Sequence, residues 1–71
     1  MLFEKLIMKR IRDTNQPVII STGIAFGHKI LTIGAYKFIE IDADKVAVEG
    51  DKFNITCTKW EEIELIYAAV R

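Results

Sequence analysis

From Leu2 to Ile11 the apolar residues Leu2, Phe3, Leu6, Ile7 and Ile11 recur at spacings of three and four, while Lys5, Lys9 and Arg12 gather on another side. This is the period of an amphipathic helix, and it predicts one over residues 2–13. Asp13-Thr14-Asn15-Gln16 ends it and Pro17 bars its continuation. Beyond Pro17 the pattern changes to strands. Val18–Thr22 is a short β-rich run closed by Gly23, and a long segment follows from Ile24 to Asp42. Its first part sets Ile24, Phe26, His28, Ile30 and Thr32 on one parity, and its last part sets Ile39 and Ile41 on the other. A strand with one buried face cannot switch parity while flat, so a bend or bulge is expected near Gly34.

Asp42-Ala43-Asp44-Lys45 reads as a polar turn into Val46 and Val48. Gly50-Asp51 reads as a type II′ hairpin turn with Gly at the position of positive φ, after which Phe53, Ile55 and Cys57 alternate inward. Thr58-Lys59-Trp60-Glu61-Glu62 is taken as a tight corner, and Ile63, Leu65 and Tyr67 as the last strand. The expectation is a mainly β (α+β) chain of one domain, residues 1–71, with an N-terminal α-helix (2–13) and a five-stranded, strongly bent antiparallel small barrel of Sm/SH3-like type (17–70). An open curved sheet capped by the helix, as in small pleckstrin-like or sporulation-type β domains, fits the strand count as well.

Composition sharpens this in two ways. Of 24 Leu, Ile, Val and Phe residues, twelve are Ile and four are Leu, a β-branched bias that favours pleated strands. A chain of 71 residues also buries only roughly 60% of its unfolded surface and usually draws on a disulfide, a metal or a second subunit. One cysteine (Cys57) and one histidine (His28) cannot make a disulfide or a four-ligand zinc site, so a homo-oligomer is expected. No apolar run reaches the roughly 18 residues of a membrane span, and charges break the first ten residues every few positions. A cytoplasmic location with no membrane partner is therefore expected.

The formal net charge of zero conceals an asymmetry. Residues 1–37 carry six Lys or Arg against two Asp or Glu, and residues 38–71 carry four against eight. Such a chain suits head-to-tail contacts, which close into rings when the rotation permits.

Catalytic chemistry has little to build on. Cys57 shares the parity of Phe53 and Ile55 and reads as a small buried hydrophobe, and His28 reads as a packed or rim histidine. Asp42 and Asp44 belong to a turn, and Glu61, Glu62 and Glu64 to a solvated corner. Gly23-Ile24-Ala25-Phe26-Gly27 lacks the Lys-Ser/Thr and following helix of a phosphate loop. No enzyme, no cofactor and no metal are expected.

A short N-terminal helix, the run Pro17-Val18-Ile19-Ile20-Ser21-Thr22-Gly23-Ile24, a long strand bending around Gly34 and a last hairpin with Lys59 together resemble the Sm-like family, especially the bacterial Hfq type. The resemblance spans most of the chain and is one of pattern. It implies a bent five-stranded barrel that forms a ring by edge-strand pairing and binds single-stranded RNA on the ring faces or in the pore. Of the Tyr-Lys-His signature of Hfq, Thr58-Lys59-Trp60 keeps only the lysine. With Lys59 from that signature, the RNA-binding reading takes the helix stripe Lys5, Lys9 and Arg12 for phosphates, and Tyr36 and Trp60 as stacking platforms in place of the missing signature residues. A different class of function uses the same parts. In that reading a strand edge and the corner of Trp60 with Glu61, Glu62 and Glu64 engage a protein partner.

Overall fold

The computed structural model describes residues 1–24 and 26–71; Ala25, part of the expected long strand, lies outside the described residues. Among the described residues the chain runs α1 (Leu2–Thr14), β1 (Ile20–Thr22), β2 (Lys29–Ile33), β3 (Tyr36–Asp42), β4 (Lys45–Gly50), β5 (Phe53–Cys57) and α2 (Trp60–Val70). The five strands form one antiparallel sheet in the order β1-β2-β3-β4-β5, each paired with its neighbour in sequence. The sheet is open, with β1 at one edge and β5 at the other. The architecture is thus mixed α+β, with an N-terminal helix and a five-stranded antiparallel sheet as expected, and with a second helix where the last strand was expected.

The first helix follows its pattern. Phe3 and Leu6 are buried, Leu2 and Ile7 pack beside them, and Asn15 closes the helix in the left-handed region, its N–H donating to the Ile11 carbonyl at 2.7 Å. The Leu2 N–H donates to the Ala43 carbonyl at 3.2 Å, pinning the start of α1 to the β3–β4 turn. That turn forms as the sequence predicts, with the Asp44 N–H donating to Asp42 Oδ1 at 2.8 Å in an Asx-turn.

Three expectations are corrected. The segment from Ile24 to Asp42 is two strands and not one bent strand: Ile33 pairs with Tyr36 across Gly34-Ala35, and Gly34 takes a φ of 59°. Two turn residues between them place positions 33 and 36 side by side on the same face, which is why the parity switches. Ile24 and Phe26 belong to the β1–β2 connection and project into solvent.

The second correction concerns Gly50. It is the last residue of β4, pairs with Phe53 across an Asp51-Lys52 turn, and does not take a positive φ. Glycine is needed there for room, because a Cβ at this position would lie 2.6 Å from Cε1 of Tyr36. Tyr36 lies across the bare backbone and meets the Phe53 ring edge-on at 6.2 Å.

The third is α2. Trp60, Ile63, Tyr67 and Val70 are spaced three, four and three apart, so they share one helix face, and Ile63 and Tyr67 are buried there. Leu65, expected to point inward from a strand, is exposed. The Glu62 carboxylate accepts from the N–H groups of Thr58 (3.0 Å) and Lys59 (3.1 Å), satisfying donors at the helix start; Lys59 has no side-chain acceptor to complete a capping box. The five-strand total agrees with expectation because one strand became two and another became a helix.

All of the core lies on one side of the sheet. Leu31, Ile33, Phe38, Val46, Val48 and Cys57 from the strands meet Phe3 and Leu6 of α1 and Ile63 and Tyr67 of α2. On the opposite side the register aligns Ser21, Ile30, Ile39, Ala47 and Thr56 in one row across all five strands, with Thr32, Lys37, Glu49 and Asn54 in the next.

Candidate functional site

The two helices lie side by side and run in the same direction. Lys5 Nζ sits 4.8 Å from the centre of the Trp60 ring near their N-termini, Lys9 Nζ sits 5.9 Å from that of Tyr67, and Asp13 meets Arg71 at the far end. Each lysine uses its helical position to cap an aromatic face, a cation–π contact worth about 0.5–1 kcal/mol at exposed sites. The Tyr67 hydroxyl donates to Asp13 Oδ2 at 2.7 Å, and Arg71 Nη1 reaches the same oxygen at 3.4 Å.

The hydrogen bond from Tyr67 holds the Asp13 carboxyl below its usual value. Partial desolvation opposes this, and the charges of Lys9 and Arg71 assist it. Burial, then the negative partner Asp13, raises the Tyr67 hydroxyl above its usual value. Cys57 is buried at the end of β5, and its thiol is pushed up by burial and by the charge of Glu62, the condition of an inert core cysteine. Among the described residues no three His, Cys, Asp or Glu side chains gather as metal ligands. Among the described residues no helix is long and apolar enough to cross a membrane.

Of the six residues singled out from the sequence, the structure brings Lys5 and Trp60 into contact and places Lys9 and Arg12 further along the same helix. Lys59 is the N-cap of α2, adjoining Trp60. Tyr36 is elsewhere: it starts β3, whereas the α1 and α2 N-termini meet the sheet where β3 ends and β4 begins. Seven strand residues at about 3.3 Å each separate the two places by roughly 20 Å. Trp60 and Tyr36 each have a packing partner within the chain, the first a lysine and the second Gly50 with Phe53. The acidic corner resolves into the first turn of α2, where Glu61 and Glu62 suit the positive end of the helix dipole.

Two features were missed in the sequence. One is the Asp13–Tyr67–Arg71 cluster, in which Asp13 is more than fifty residues from both partners and no local signal links them. The other is the β5 edge. Parity correctly puts Phe53, Ile55 and Cys57 on the helix-facing side, but only Cys57 is covered; Phe53 and Ile55 remain 41% and 39% exposed. Comparison with protein-family models, curated proteins and solved structures found no match for this chain.

Proposed function

We propose that the chain is a non-enzymatic binding module that takes up an extended protein segment along β5. The observation that carries this is the state of that edge. Phe53-Asn54-Ile55-Thr56-Cys57 contains no charge and no proline, and its pairing with β4 runs in unbroken register, so it lacks the devices with which proteins blunt an open strand. Gly50 and Phe53 flank a two-residue turn and form a hydrogen-bonded pair, so alternation turns the N–H and C=O groups of Asn54 and Thr56 away from β4. An added strand would satisfy those groups and lay side chains over Phe53 and Ile55.

The test uses a labelled peptide of the β5 sequence flanked by lysines. Binding is expected, with slowed amide exchange at Asn54 and Thr56. Asn54→Pro, which removes an outward N–H and no ladder bond, is expected to abolish it. Binding that survives Asn54→Pro places the contact elsewhere.

A second reading keeps the Sm-like resemblance and single-stranded RNA. What favours it is the side of α1 that carries Lys5, Lys9 and Arg12, with Lys5 and Arg12 both exposed. An oligouridine probe would then bind with a steep salt dependence that Lys5→Ala/Lys9→Ala/Arg12→Ala flattens. Unchanged affinity in that triple variant would remove α1 from the role.

A further inference from the structure

From the outer face of the sheet, the side without helices, we infer that two copies of this chain pack face to face about a two-fold axis running along the strands between β3 and β4. Among the described residues both helices and the buried core occupy the other side, so no helix lies over the row Ser21, Ile30, Ile39, Ala47, Thr56, in which Ser21 and Thr56 are exposed and Ile30, Ile39 and Ala47 are half-buried between their neighbours. Two sheets stack about 10 Å apart with their strands within about 30° of parallel. A two-fold axis along β3 and β4 then sets each β3 residue opposite the residue that pairs with it on β4, now in the second copy.

The pairs that result are complementary. Ile39 pairs with Ala47 within the chain, so across the interface each Ile39 meets the other copy's Ala47, a large side chain against a small one on both sides of the axis. Lys37 pairs with Glu49, so each ammonium meets the other copy's carboxylate, twice by symmetry. Neither is held within its own chain: among the described residues the one ion pair joins Arg71 to Asp13. Further out, Ile30 faces Thr56 and Thr32 faces Asn54, which closes the patch with apolar and neutral side chains.

Charge exchange tests the axis itself. In low salt the wild type is expected to show twice the 8.1 kDa chain mass by light scattering. Lys37→Glu and Glu49→Lys each set like charges opposite one another twice, and each is expected to raise the dissociation constant roughly tenfold or more. Lys37→Glu/Glu49→Lys restores both attractions and is expected to bring the dimer back. Circular dichroism checks that each variant is folded. A monomer at every concentration overturns the inference, as does a dimer indifferent to the single changes or a double variant that stays as weak as the singles. Lys37→Glu lies on β3 and leaves β5 unchanged, so peptide binding that persists in Lys37→Glu while its dimer is lost separates the two claims.

Discussion

Phe38 and Ile39 are neighbours in β3 with opposite surroundings. Phe38 is fully buried beneath the helices, while Ile39 is half-buried on the face over which, among the described residues, no helix lies. The difference shows that alternation along a strand decides which side a residue takes, whereas the positions of α1 and α2 decide which side becomes core. One face holds the molecule together, and the other, which carries Ile30 and Ile39, is the face we propose for association.

The comparison can be broken most sharply from the inside. Phe38→Ala leaves a cavity at the centre of the buried core and is expected to cost about 3–5 kcal/mol, read from urea unfolding. Gly50→Ala is next, at about 1–3 kcal/mol, because the added methyl drives into the Tyr36 ring. Adding Tyr36→Ala to it removes the clash, so the double variant is expected to be more stable than the summed single effects, a coupling a thermodynamic cycle would reveal.

Smaller effects are expected at the seam between the helices. Tyr67→Phe removes the hydroxyl that binds Asp13 and is expected to cost about 1 kcal/mol. It also changes the response to pH. The folded state holds the Tyr67 proton more tightly than the unfolded chain, so that contribution is complete below about pH 10 and lost as pH rises beyond it. Asp13 is shifted the other way, so its contribution is present above about pH 4 and lost as pH falls below that. Thermal melts of wild type and Tyr67→Phe across pH 3–11 should converge at both extremes and differ most between them.

The same contrast explains what could be read from the residues. Helix α1 was legible because Leu2, Phe3, Leu6 and Ile7 can share a buried stripe only as a helix. The strands β4 and β5 were legible because Val46, Val48 and Cys57 alternate cleanly. Helix α2 was misread since Ile63, Leu65 and Tyr67 also alternate, and the β-branched composition favoured the strand. The deciding signals were Trp60, Ile63, Tyr67 and Val70 at helical spacing and Glu62 three residues after Lys59. For the candidate site, the basic stripe of α1 was visible from spacing alone. Its pairing with Trp60 and Tyr67 was not, because it depends on how two distant helices dock.

The central claim is that the two faces of one strand do different work, and the most direct measurement sets Ile39→Lys beside Phe38→Ala. Both are examined by urea unfolding extrapolated to infinite dilution and by light scattering at high concentration. Ile39→Lys is expected to keep wild-type stability within about 1 kcal/mol and to remain monomeric at concentrations where the wild type is expected to dimerise. A loss of stability as large as that of Phe38→Ala, or a dimer that persists with lysine at position 39, would contradict the account.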